Sequence, residues 1–210
     1  IIGAIDTING NETKLPESII SELHNEIKIA GFRLNRQVEN LLSMSRLEAG
    51  ILKPKIDWCD MNELIFSVIN ENKDNSKDHR IVFEPQEHLP LYKIDRGFVE
   101  QIIHNIVHNA LQYTPKNSLI KIEVAHVNGK CQLIISDNGT GFPKNEIDLV
   151  FDKFYRLSHS ATGGTGLGLS IAKGFTEALG GTIYLENLPT GGAKFTVVIP
   201  AESSFISNVG

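Results

Sequence analysis

The sequence predicts an α+β chain in which a long N-terminal helical hairpin leads into a domain whose helices segregate from an antiparallel sheet. Three observations carry this. Across residues 17–49 apolar side chains fall at Ile20, Leu23, Ile27, Ala30, Leu34, Val38, Leu41 and Leu42, mostly three or four apart, as one stripe of a helix requires. Residues 119–126 and 131–136 are apolar-rich runs joined at Asn128-Gly129, a pair that closes a tight hairpin because both positions accept positive φ. Strands and helices then come in blocks, not in the strict alternation of a doubly wound sheet.

Taken in order, residues 1–8 read as the last turns of a helix, ended by Asn9-Gly10-Asn11 and Pro16. In the next helix Ile20, Ile27, Leu34 and Leu41 lie seven apart, while Glu22, Glu26, Lys28, Arg33, Arg36 and Glu39 sit mainly off the stripe, and Gly50 closes it. Two helices bury little, so the hairpin is expected to pair with a copy of itself as a four-helix bundle; packing onto its own domain is the alternative. Residues 51–59 change character and suit a linker running into an edge strand. Asp60 caps a helix through Met61, Leu64, Ile65, Val68 and Ile69, and residues 80–85 make a short strand. Asp95 opens another helix with Phe98, Ile102, Ile103, Ile106, Val107 and Ala110 inward and Asn105 and Asn109 on its other side. Beyond the strand hairpin lies a loop-rich stretch, residues 137–165. The run GGTGLGLS at 163–170 then feeds a helix through Ile171, Ala172, Phe175, Ala178 and Leu179, stopped by Gly180-Gly181. Residues 182–187 and 193–199 are the last strands, joined across Pro189-Thr190-Gly191-Gly192.

Composition narrows the function classes. An apolar share of 41% over 210 residues supports a real core, and a formal charge of -5 without any Lys/Arg run gives no general attraction for nucleic acid or anionic lipid. Cys59 and Cys131 belong to no CxxC pair or His-rich cluster, which argues against a disulfide framework or zinc site and fits a reducing, cytosolic setting. No stretch reads as a membrane span or signal peptide. The chain begins Ile-Ile-Gly without Met, and a fragment of a longer protein is expected, with any membrane segment outside it.

The glycines at 163, 164, 166 and 168 let the backbone pass close to a bulky anion, and a loop feeding a helix N-terminus favours phosphate. A flexible capping loop is the bland alternative. Four segments decide between them by their order: Asn105-Ile-Val-His-Asn109-Ala110, Asp137-Asn-Gly139-Thr-Gly141, Phe151-Asp-Lys153-Phe154-Tyr-Arg156 and Gly164-Thr165-Gly166-Leu167-Gly168-Leu169. Together they resemble the N, G1, F and G2 boxes of the sensor histidine kinases, whose ATP site is shared with gyrase, Hsp90 and MutL. With Gly191-Gly192 and the hairpin ending Arg46-Leu-Glu-Ala-Gly50, the resemblance covers nearly the whole chain. Residues 53–58 and 191–195 look like the potassium-responsive subgroup. The resemblance implies a two-layer α/β sandwich of the Bergerat type after the hairpin. It divides the chain into residues 1–53, a partial dimerisation and phosphotransfer hairpin; 54–202, the catalytic ATP-binding domain; and 203–210, a tail.

Within that resemblance each box has a physical reading. Asn105 and Asn109 are one helical turn apart, and their neutral carboxamides suit a Mg²⁺ ion already held by ATP phosphates, Asn109 as the first metal ligand; a solvated helix face is the alternative for either. Asp137, directly after an apolar strand, is expected to accept from the adenine amino group, with Gly139 and Gly141 admitting the base; a plain turn is the alternative. Tyr113 is placed against the adenine ring, or in ordinary packing. Gln112 stands where these kinases commonly carry Lys or Arg toward the phosphates, and Lys153 and Arg156, flanking Phe154, are candidates for the missing charge. Residues 157–165 read as a lid or as a loop with no gating role. Hydrolysing relatives usually hold a Glu four positions before Asn109. Asn105 cannot take a proton, which favours phosphoryl transfer to a protein over fast hydrolysis. His108 precedes Asn109 where the kinases often carry an acidic residue; it is a candidate to polarise or orient the acceptor, or a partly exposed helix histidine.

The family's acceptor motif, His-Glu/Asp-x-x-x-Pro, does not occur, and His24, His79, His88, His104, His126 and His159 lack its context. The chain is therefore expected to bind Mg-ATP without phosphorylating itself. In the intact protein the resemblance implies transfer of the γ-phosphoryl to a histidine and then to an aspartate of a response-regulator receiver domain, in a homodimer joined through the hairpin. It also implies a cytoplasmic portion of a membrane-anchored bacterial protein, reaching the membrane only through segments outside the chain and binding no nucleic acid. The competing readings are an ATP-hydrolysing machine of the same fold and a non-catalytic dimerisation module.

Overall fold

The computed structural model describes residues 2, 3, 5, 16–73, 76, 78–157 and 164–205, leaving aside the side chain of Arg33. The chain forms two compact units, Ile1–Ser45 and Arg46–Gly210. In the first, residues 2, 3 and 5 are helical, and the rest of the expected first helix and its loop lie outside the described residues. Helix α1 (Glu17–Glu48) starts where the sequence predicts, with Ile19 and Ile20 N–H bonding Pro16 C=O. The first half of its stripe, Ile20 to Ala30, is half-buried, and the second half is exposed, Leu34 at 56% and Leu41 at 53%. Among the described residues no helix is long and apolar enough to cross a membrane.

In the second unit α1 ends in a Schellman turn: Gly50 takes φ +62 and Ile51 N–H bonds Arg46 C=O at 3.3 Å. Helix α2 (Met61–Glu71) is capped by Asp60, whose Oδ1 accepts from Asn62 and Glu63 N–H. Helix α3 (Arg96–Tyr113) is capped by Asp95, which accepts from Phe98 N–H. Helix α4 (Gly168–Ala178) packs on α3, with Phe98 and Phe175 rings 4.8 Å apart.

These helices cover one face of a five-stranded sheet of order β2-β4-β5-β7-β6, formed by β2 (Arg80–Phe83), β4 (Leu119–Val127), β5 (Lys130–Asp137), β6 (Thr182–Asn187) and β7 (Ala193–Pro200). Period-two patterning builds the core: Ile120, Ile122, Val124, Leu133, Ile135, Phe195 and Val197 are all buried under the helices. Asn128 (φ 51) and Gly129 (φ 75) close β4 onto β5 as the sequence predicts.

Two features depart from expectation. The sheet is mixed, because β2 pairs β4 in parallel. Between them the chain runs through α3, and a crossover helix returns it in the same direction, where a tight turn would reverse it. A second sheet of order β1-β3-β8 joins β1 (Asp57–Cys59), β3 (Leu91–Ile94) and β8 (Ser203–Ser204). Only β1 was anticipated. Cys59 on β1 and Cys131 on β5 are buried free thiols, and burial pushes their pKa up to about 11 and about 12.

Candidate functional site

The second half of α3, the end of β5, the β6–β7 turn and the start of α4 converge within one unit, and each supplies a different kind of group. On α3 the carboxamides of Asn105 and Asn109 share a face. Asn105 is only 3% exposed, so the solvated-face reading does not describe it. Its Nδ2 donates to Gln101 C=O at 2.8 Å, and its Oδ1 lies 3.3 Å from where a Cβ on Gly168 would stand, beside the first turn of α4. Asn109 is half-buried and has no side-chain hydrogen-bond partner among the described residues, nor does its half-buried neighbour His108.

Asp137 ends β5 and is 7% exposed. One oxygen, Oδ1, accepts both Gly139 N–H at 2.9 Å and Ala193 N–H at 3.3 Å, which leaves Oδ2 without a partner among the described residues. Burial raises the pKa of this carboxyl, and the two N–H donors oppose the rise. The β6–β7 turn reaches it because Gly192, at φ +99, has no side chain; a Cβ there would stand 1.9 Å from Asp137 C=O. At Gly139 a Cβ would meet the Thr114 methyl at 2.8 Å.

The α4 end of the site is backbone. No side chain caps the helix, Ser170 Oγ turns back to Leu167 C=O, and the first turn presents its N–H groups, the local geometry an anion favours. Leu167 and Leu169 are buried, and their side chains anchor the loop. Gly164 sits on Tyr113, a Cβ there being 2.7 Å from the phenol oxygen and 3.7 Å from Gln112 Nε2, and Thr165 after it is half-buried. Gly166, at φ +71, rests on the main chain of Phe154, which itself takes φ +63 while its ring is 64% exposed. A bulky L-residue rarely holds that backbone. Lys153 pairs with Glu48 at 2.7 Å instead of turning inward, and Arg156 is exposed on the same segment. The expected lid, residues 157–165, lies largely outside the described residues.

Among the described residues no group of three or more His, Cys, Asp or Glu is arranged to hold a metal ion. Asn105 and Asn109 offer neutral carboxamides, a donor type that fits a hard cation bringing its own phosphate ligands. Sequence reasoning missed Thr114, the Ala193 N–H and Asn187, which bonds both main-chain groups of Phe142. A main-chain donor has no sequence signal, and Asn at a strand end reads as punctuation.

Comparison with known proteins adds to this geometry. The family model of histidine kinase-, DNA gyrase B- and HSP90-like ATPases matches residues 94–203. The sensor protein KdpD of Clostridium acetobutylicum is 34% identical over 206 residues, covering 96% of this chain and 23% of that protein. The sensor histidine kinase WalK of Bacillus subtilis is 30% identical over 175 residues, covering 80% of this chain and 28% of that protein. The chain thus spans only about a quarter of the length of these relatives. A crystal structure of full-length ShkA in complex with AMPPNP shares the fold, with TM-score 0.75 at 23% identity, over 92% of this chain and 41% of that one.

Proposed function

Because the chain belongs to the histidine kinase-, DNA gyrase B- and HSP90-like ATPase family, as part of a sensor histidine kinase, we propose that it binds Mg-ATP between α3, the end of β5 and the first turn of α4 and serves transfer of the γ-phosphoryl to histidine. The observation that carries this is Asp137: a buried carboxylate pinned through one oxygen, with the other left to accept from an adenine amino group. Tyr113 and Gly139 flank the base. The N–H groups opening α4, within the run Gly164 to Leu169, would receive phosphate, and Asn109 and Asn105 would hold the Mg²⁺ that the phosphates bring.

The work done by these residues is positioning and charge neutralisation. The imidazole nitrogen of a histidine from outside these 210 residues attacks the γ-phosphorus in line, and the bond from that phosphorus to the β–γ bridging oxygen breaks as ADP leaves. Asn105 offers no base to activate water, which weighs against the hydrolysing reading. Lys153, held by Glu48, is a weaker candidate for the phosphate contact that Gln112 does not supply. The exposed part of the α1 stripe, Leu34, Val38, Leu41 and Leu42, supports a homodimer through a four-helix bundle, with relay to a response-regulator receiver domain. The functional division follows the linker: hairpin 1–53, ATP-binding domain 54–202 and a terminal segment 203–210 whose first two residues pair with β3 as β8, in the cytoplasmic portion of a membrane-anchored protein.

Calorimetric titration with a non-hydrolysable ATP analogue tests the site. Wild type is expected to bind more tightly with Mg²⁺ than without. Asp137→Ala weakens binding at least about tenfold, and Asn109→Ala abolishes the Mg²⁺ dependence. Absence of binding at millimolar nucleotide would favour a dimerisation module.

A further inference from the structure

Asn187 ends β6, opposite Ala193 of β7. Its carboxamide does for one residue what a neighbouring strand would do: Oδ1 accepts Phe142 N–H at 2.8 Å and Nδ2 donates to Phe142 C=O at 2.7 Å. The Phe142 ring stands edge-on to Phe195 of β7, with centroids 6.0 Å apart. The same side chain backs Gly141, which takes φ +72; a Cβ there would lie 2.6 Å from Asn187 Oδ1 and 2.9 Å from Gly192 C=O. Loop 138–142 begins with Asn138 bonded to Leu119 of β4 through its N–H and its Oδ1; beyond that it has two anchors, Asp137 Oδ1 through Gly139 N–H and Asn187 through Phe142. Both anchors meet in the β6–β7 hairpin, since the residue paired with Asn187 donates to that same Asp137 oxygen.

We propose that Asn187 is a positioning residue for the base pocket, holding loop 138–142 so that Asp137 Oδ2 keeps one direction and the site prefers a 6-amino purine over a 6-oxo purine. This rests on the reading of Asp137 as the adenine acceptor. A 6-oxo purine turns a carbonyl toward the carboxylate, so two acceptors face each other and the base is rejected. That rejection lasts only while the carboxylate cannot turn aside. A loop freed at Phe142 lets Gly139 N–H drift and Asp137 rotate, which weakens the adenine contact and relieves the hypoxanthine clash together.

The test uses the full 210-residue chain, titrated with AMPPNP and with its inosine counterpart in Mg²⁺. Asn187→Asp keeps the size and Oδ1 but sets an acceptor against Phe142 C=O; Asn187→Ala removes both bonds. Each is expected to lower the adenine-over-hypoxanthine preference about tenfold, chiefly through weaker AMPPNP binding. If Asn187→Ala does not fold, Asn187→Asp and Gly141→Ala carry the same comparison. An unchanged preference, or an equal loss for both nucleotides, overturns the proposal while leaving the adenine site standing. Wild-type binding that Asp137→Ala does not affect overturns the adenine reading and this proposal with it.

Discussion

A carboxylate on a residue that is only 7% exposed is a standing cost at neutral pH, and Asp137 carries it. Burial raises its pKa above the usual aspartate value, against the pull of the Gly139 and Ala193 N–H groups. The folded state therefore holds the proton more tightly than the unfolded one; the stability this confers is complete below the unfolded value and lost as pH rises through the raised one. Asp137→Asn keeps an oxygen for both donors and removes the charge. It is expected to melt above wild type at pH 7, with the gap closing as pH falls toward about 4, while analogue affinity drops at least about tenfold at neutral pH. Thermal melts across pH, paired with one titration, read both effects. Asp137 was legible in the sequence because it ends an apolar strand and precedes a glycine-spaced turn. The burial of Asn105 was not, since only the docking of α4 beside it decides whether that helix face meets water.

Among elements, the β6–β7 hairpin has the most exacting fit. Gly192 holds φ +99 with Asp137 C=O where its Cβ would be, so Gly192→Ala must move either the turn or the end of β5. The expected loss is about 2 kcal/mol or more, a fall of about 5 °C in melting midpoint by calorimetry. Local signals served the elements closed by short turns: Asn128-Gly129 for β4 and β5, Gly50 for α1, Asp60 and Asp95 for their helices. They failed where pairing is remote. Leu91–Ile94 is too short to show a period and finds β1 and β8 across long stretches of chain, and the parallel match of Arg80 to Leu119 is fixed by the helix that intervenes. The carboxamide of Asn187 acts across 45 positions, a reach that no window of sequence displays.

For the whole molecule, the division at Ser45 and Arg46 separates a helical unit whose apolar stripe is exposed from Leu34 to Leu42 from a unit with a closed core. Both cysteines belong to the second unit, one on the small sheet and one on a central strand of the large one. Their thiols are out of reach and almost wholly protonated at neutral pH, so neither reacts while the fold is shut. The two positions make a built-in clock of opening. Alkylation followed by mass spectrometry is expected to modify Cys59 first, as β1 peels from its three-stranded sheet, and Cys131 only at the rate of global unfolding. Bound nucleotide should slow the second event in proportion to its affinity, whereas melting of α1, which carries no thiol, leaves the clock untouched.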